Sequence, residues 1–150
     1  MKNELECPVD YVTINENKAR LTAFFVLVLA VVFLFTQLWI IPAFLIVDFF
    51  TRVNNWGKYS LLGILSDAVI KQIGIKNKPT DRAPKRFAAG VGLVFSAAIL
   101  IFLLLNLAIV SIALAVIIVV FAFLESFVGF CAGCYVYTIF KKMYSPLKTK

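Results

Sequence analysis

The stretch FAAGVGLVFSAAILIFLLLNLAIVSIALAVIIVVFAFL, from Phe87 to Leu124, runs for 38 residues without a charge. About 18 apolar residues already indicate a spanning helix, and one helix of this length would reach about 57 Å across a hydrocarbon core of about 30 Å. The stretch must therefore fold back. Asn106 is its one strongly polar residue and lies near the middle. We predict helices over about 85–105 and 107–142, joined by a tight turn.

A second uncharged block lies upstream, from Leu21 to Val47. Thr36-Gln37 interrupts it, and Pro42 falls where the first turn of a new helix tolerates a missing N–H. This favours helices over about 20–36 and 38–53, both short for a full crossing. A single tilted helix from Leu21 to Phe50 is the alternative, and it would place the N-terminus outside.

The two blocks share short sequence matches at their starts and at their ends. Arg20-Leu21-Thr22-Ala23 opens the first and Arg86-Phe87-Ala88-Ala89 the second, and each block ends on an acid, Asp48 or Glu125. Two parallel copies of one helical hairpin would explain both matches.

The segment between the blocks has a different character. Its residues 59–75 carry an apolar helical stripe, with Asp67 and Lys71 spaced i,i+4 on another face, which predicts an amphipathic helix lying on the membrane surface. Residues 76–84 follow as an irregular basic loop placed to contact anionic headgroups.

Composition and charge fix the class of protein. The chain is 62% hydrophobic, with a mean hydropathy of +0.95, which excludes an ordinary water-soluble domain and makes the lipid bilayer its first partner. Of fifteen Lys and Arg residues, three precede the first block, eight lie between the blocks and four follow the second. This positive-inside distribution explains the net charge of +7 without nucleic acid, and places both termini in the cytoplasm.

The predicted fold is an all-α membrane protein with four transmembrane or near-spanning helices, arranged as two helical hairpins with an interfacial amphipathic helix between them. A cytoplasmic arm over 1–19 precedes a single membrane domain over 20–142, and 143–150 form a cytoplasmic tail.

Cysteine is the most suggestive residue for chemistry, because the chain contains no histidine and so lacks the commonest general base and zinc ligand. Cys131-Ala132-Gly133-Cys134 falls near the inner face, where paired thiols are more often redox-active than structural. Cys7 lies on the same side in the hairpin arrangement and could exchange with the pair. The alternative is that these small side chains pack between helices beside Gly129 and Gly133. We expect no metal ion and no other cofactor.

Four charged residues form a second candidate site. Asp48 and Glu125 lie near the inner ends of their helices, at the level of Arg20 and Arg86. Such carboxylates are costly in a membrane and are usually paired or functional. The group is therefore either a set of ion pairs across the bundle or a cluster that binds an anion or moves protons.

Several motifs together resemble a known family. They are Cys7-Pro8, Arg20 with Ala23, Asp48-Phe49, Pro84-Lys85-Arg86-Phe87-Ala88, Leu124-Glu125 and Gly129-Phe130-Cys131-Ala132-Gly133-Cys134. The chain resembles the domain-of-unknown-function family 4395 from Cys7 to Tyr137. The resemblance implies a multi-pass protein of the bacterial inner membrane with four predicted helices, associated with thioredoxin-like or rhodanese-like sulfurtransferase partners.

Two functions follow as the main hypotheses, and a third possibility is that the basic middle loop anchors a soluble sulfurtransferase at the membrane. The first is a cytoplasm-facing relay of electrons or sulfane sulfur through Cys131, Cys134 and Cys7. The second is a non-catalytic membrane subunit or small sulfur-anion transporter that uses the Arg20, Arg86, Asp48 and Glu125 cluster. A homodimer through the glycine face is compatible with both.

Overall fold

The computed structural model describes residues 11–56, 58–128, 135, 138–139 and 142–144. The helices are α1 (Glu16–Thr36), α2 (Ile40–Val53), α3 (Leu61–Ile73), α4 (Arg82–Leu104) and α5 (Ala108–Phe123), which continues as a π-helical turn over Leu124–Val128. Two short strands, β1 (Thr13–Asn15) and β2 (Pro79–Asp81), precede α1 and α4.

The first apolar block forms two helices and not one tilted helix. Gln37 ends α1 in the left-handed conformation, with a φ of 49°, and its N–H donates to the carbonyl of Phe33 at 2.7 Å. The α2 helix begins three residues later at Ile40, and Pro42 occupies its first turn, where no backbone donor is required.

The second block divides at the predicted residue. Asn106 has a φ of 59° between α4 and α5, and asparagine tolerates this conformation better than most residues because its short side chain can bond locally. Three residues, 105–107, connect the two helices.

The two strands were not predicted from the sequence. They pair antiparallel, with Thr13 opposite Asp81 and Asn15 opposite Pro79, so the segment predicted as an irregular basic loop is partly ordered by β1. The side chains of Asn15 and Asp81 then cap α1 and α4 by accepting from backbone N–H groups two residues on, at 3.1 and 3.2 Å. One small sheet therefore holds the starts of both long helices together.

The α3 helix packs against the first half of α1. Thr22 and Ser66 share a buried hydrogen bond of 2.8 Å, and the Nζ of Lys18 lies 2.5 Å from an oxygen of Asp67. Asp67 thus pairs across helices and not with Lys71 of its own helix, the partner that sequence spacing favoured. Ser60 caps the start of α3 and Gly74 ends it at a φ of 71°.

The long helices form a bundle in which α1 packs on α5, and α4 packs on both α2 and α5. The core contains Val26, Phe33, Leu45 and Ile118 with small residues between the helices, while large apolar side chains cover the outside. Exposed apolar surface of this extent indicates contact with lipid.

Within the described residues, three helical segments are long and apolar enough to cross a membrane: Glu16–Thr36, Arg82–Leu104 and Ala108–Val128. The apolar pattern predicts four spanning or near-spanning helices, and α2, at 14 residues, is the one that is too short to be a candidate span. The fold is all-α, apart from the two short strands, with three candidate spans.

Candidate functional site

A cavity of about 380 Å³ lies where α1 and α4 begin and α2 and α5 end. The lining of this cavity is strongly basic. Among the described residues, six cationic side chains line the cavity: Lys18, Arg52, Lys58, Arg82, Lys85 and Arg86. We call this the basic cavity.

Acidic residues offset only part of this charge. Glu125, in the π-helical turn after α5, is the one carboxylate among the described residues that line the cavity, and it lies 3.0 Å from the Nζ of Lys85. Asp67 and Asp48 do not line the cavity, but they pair with two of its cations, Lys18 and Arg52. Three of the six cations therefore have a carboxylate partner, and Lys58 and Arg86 are the two that are exposed.

Arg52 is held in place by a buried polar network. It pairs with Asp48 one helical turn earlier, and its guanidinium also lies 5.3 Å from the ring centroid of Phe49. Asp48 is buried and also accepts from the hydroxyl of Ser60 at 2.7 Å and from the N–H of Leu62 at 3.2 Å. These bonds tie the end of α2 to the start of α3, so the Arg52 cation is positioned with little freedom.

Arg86 and Lys58 are positioned differently. The Nε of Arg86 donates to the carbonyl of Val53 at 2.8 Å, which anchors the side chain between α4 and α2. Lys58 lies in the connection between α2 and α3, and both residues are exposed. The basic end of the cavity therefore reaches the protein surface.

The lining changes character along the helices. On α1 it passes from Lys18 through Thr22 to Val26, and on α4 from Arg82 to Phe95. On α5 the order is reversed, from Ile118 to Glu125, because this helix runs the other way. The cavity thus has a charged mouth and an apolar interior.

The four predicted charged residues do not pair with one another in the described structure. Arg20 bonds Glu16 on its own helix, at 2.7 Å, and Asp48 pairs with Arg52. Arg86 and Glu125 do line one cavity, whereas Arg20 and Asp48 are not among its lining residues. The sequence suggested ion pairs across the bundle, whereas Arg20 and Asp48 each pair within their own helix.

The predicted cysteine site is not among the described residues. Cys7, Cys131 and Cys134 all lie outside the described residues. The thiol relay therefore stays a prediction from sequence.

Sequence reasoning missed most of the cavity. Arg52 follows Asp48 at i,i+4, and this spacing was a sufficient signal for the pair. Lys18 and Lys85 gave no comparable signal, because their position depends on how β1 pairs with β2 and on how the helices pack.

A family model described as Domain of unknown function (DUF4395) matches residues 14–142. The match begins within β1 and extends through all of the helices described above. Comparisons with curated proteins and with solved structures gave no match.

Proposed function

The chain belongs to the DUF4395 family, and we propose that it is a non-catalytic membrane protein that binds an anion in the basic cavity. One observation carries this proposal: six cationic side chains surround a cavity of about 380 Å³, and one carboxylate lines it among the described residues. Three of these cations pair with a carboxylate, and like charges in one cavity repel one another where carboxylates do not offset them, so an anion there would relieve that repulsion. Fixed cations in a cleft also concentrate anions from solution.

The topology we propose places the cavity mouth in the cytoplasm. Both termini and the 54–81 segment would lie inside, by the positive-inside rule, and the turns at 37–39 and 105–107 outside. The α1–α2 and α4–α5 pairs would then be two hairpins, with α3 at the inner surface of the bacterial inner membrane. At about 21 Å, α2 is shorter than the hydrocarbon core of about 30 Å, so it requires local thinning or partial insertion.

Internal duplication supports the two-hairpin arrangement. The same 66 residues separate Asn15 from Asp81, the two helix caps, and Arg20 from Arg86. The β1–β2 register is also what two copies related by a two-fold axis would give. The cavity lies between the two proposed copies, as binding sites do in transporters built from repeats.

The test is anion binding by the whole protein in nanodiscs of zwitterionic phosphatidylcholine. Phosphate, sulfate and thiosulfate are titrated and followed by calorimetry. Lys58→Gln with Arg86→Gln should weaken binding at least about tenfold, since each change removes a charged hydrogen-bond donor. Lys71→Gln with Lys76→Gln removes the same charge from exposed positions that do not line the cavity, and should leave binding unchanged.

Equal loss in both double variants would mean that only net charge matters, and would overturn the cavity as the site. Flux of the bound anion into liposomes then separates a transporter from a static binding subunit.

A thiol or sulfane-sulfur relay is the second candidate. Cys131-Ala132-Gly133-Cys134 supports it through its spacing, and Cys7 would be a third carrier. If the relay operates, Cys131→Ser with Cys134→Ser should abolish the cellular response to thiosulfate, sulfide and thiol oxidants. If the cavity alone carries function, the same double variant should behave like the parent protein.

Partner proteins are a separate proposal. A thioredoxin-like protein or a sulfurtransferase could dock on the basic middle segment, and a second copy could pack on Gly129 and Gly133. Lys71 and Lys76 are the better residues to replace in a co-purification test, because Lys78 and Lys85 take part in ion pairs with Glu16 and Glu125. Loss of a co-purifying partner with the fold intact would support docking there.

A further inference from the structure

We infer that the ligand of the basic cavity is an anionic amphiphile, with its headgroup at the cationic mouth and its hydrocarbon chain in the apolar interior. This inference rests on the proposed anion site and deepens it. A small inorganic anion would occupy only the mouth. The remainder of the cavity is lined by apolar side chains that such an anion cannot use.

The length of the cavity lining favours a ligand with a hydrocarbon chain. From Lys18 to Val26 the lining extends about 12 Å along α1, and from Arg82 to Phe95 about 20 Å along α4, at 1.5 Å per residue. The apolar lining beyond the mouth includes Val26, Phe49, Phe95, Ile118 and Phe121. An acyl chain that enters between these residues would exchange water for apolar contacts.

Small residues keep the passage between the two ends open. Ala19, Ala23, Ala88 and Ala89 line it on α1 and α4, and Gly92 lies opposite Phe49. A Cβ at Gly92 would come within 2.7 to 2.9 Å of the Phe49 ring, so a larger residue there would displace a wall of the cavity. The middle of the cavity is thus lined largely by small side chains, which leave room for an unbranched chain.

Charge complementarity specifies the headgroup. Arg52, Lys58 and Arg86 surround the mouth with donors that suit a carboxylate or a phosphate. An uncharged or cationic head would leave the cations uncompensated. The same chemistry occurs in a free fatty acid that arrives from water and in an anionic phospholipid that arrives from the bilayer.

The experiment measures equilibrium binding of isotope-labelled butyrate, hexanoate, octanoate and decanoate to the protein in phosphatidylcholine nanodiscs, with empty discs subtracted. We expect roughly two- to fourfold tighter binding per added methylene, which follows from the transfer free energy of a buried CH₂. Decanol, with the same chain and no charge, should bind at least about tenfold more weakly than decanoate.

Variants separate the chain site from the anion site. Ala88→Leu places a larger side chain in the passage and should abolish the gain with chain length while phosphate still binds. Ala113→Leu, an exposed position on α5, is the matched control and should change neither. Because Ala88→Leu could impair folding, the chain-length series on the unmodified protein is decisive alone.

Each outcome has one meaning. Phosphate binding without any gain from butyrate to decanoate would overturn the amphiphile and leave the anion site standing. Failure of phosphate and decanoate alike would overturn the proposed function itself. Where decanoate binds, its displacement by phosphatidylglycerol in the disc identifies the bilayer as the source, and lack of displacement identifies free acids from water. Either result supports an anionic amphiphile.

Discussion

Asp48 places a carboxylate inside the bundle with 1% of its side chain exposed. Its neighbours explain why the residue is tolerated, since Arg52, Ser60 and the N–H of Leu62 all donate to it. A buried ion pair contributes little net stability by itself, but loss of one partner leaves the other charge uncompensated. The pair therefore acts as one unit that orients Arg52 at the cavity.

This pairing predicts strong coupling between the two residues. Asp48→Asn and Arg52→Met should each lower the free energy of unfolding by about 2 to 4 kcal/mol, because each leaves a buried charge without its partner. The double variant should lose less than the sum of the two, by at least about 1 kcal/mol. Reversible unfolding in mixed micelles measures all three.

Arg20→Gln provides the control for this cycle. Arg20 pairs with Glu16 at the same i,i+4 spacing, but its side chain is 35% exposed, and such pairs contribute about 0 to 1 kcal/mol. Additive effects of Asp48→Asn and Arg52→Met would contradict the buried unit.

Ser96 is also a buried polar residue, but it differs from Asp48 in its hydrogen bonding. Its hydroxyl is fully buried in α4 and has no hydrogen-bond partner among the described residues. An unpaired buried hydroxyl is unfavourable, so Ser96→Ala should leave the free energy of unfolding unchanged or raise it by up to about 1 kcal/mol.

Ser66→Ala is the comparison for Ser96, because the Ser66 hydroxyl bonds both Thr22 and the carbonyl of Leu62. That change should destabilise by about 1 kcal/mol. Thermal unfolding by circular dichroism ranks the two variants, and a larger loss for Ser96→Ala would show that its hydroxyl has a partner after all.

At the scale of elements, Gly74 allows the energetic cost of its backbone conformation to be measured without a contribution from steric overlap. It ends α3 at a φ of 71°, yet a Cβ there would meet nothing within 4 Å. Gly74→Ala should therefore destabilise by about 1 kcal/mol through left-handed strain alone, without steric overlap. Gly74→Asn should recover part of the loss because asparagine tolerates this conformation. Equal stability of all three proteins would mean that the end of α3 rearranges freely.

The breaks at Gln37 and Asn106 were predictable because a polar residue inside a long apolar run usually indicates a turn between two helices. The strands β1 and β2 were not. Each has three residues, and their pairing joins segments far apart in sequence, so local propensity carries no signal for it. The caps Asn15 and Asp81 were readable in principle, as Asn and Asp directly before a helix.

For the whole molecule, the long apolar helices were predictable and the pairing of the charged residues was not. Long runs of apolar residues indicate which segments can cross a membrane, and three of the described helical segments meet that requirement. Which cation meets which carboxylate depends instead on helix rotation and packing. Lys18 contacts Asp67 of α3, and Lys85 contacts Glu125 after α5, so each partner lies on another helix.

The proposed topology predicts the side of the membrane from which the helix turns and α3 are accessible. The α1 helix has 21 residues and extends about 31 Å, enough to carry Leu38 across a core of about 30 Å. Leu38 and Leu107 lie in the two turns and are both about half exposed, whereas Lys71 lies on α3 with the charged segments. In a background without cysteine, Leu38→Cys and Leu107→Cys should react with a membrane-impermeant maleimide in intact cells, and Lys71→Cys only in inverted vesicles. Labelling of Leu38→Cys from the inner side alone would mean that α1 does not cross the membrane, and the cavity mouth would then need another orientation.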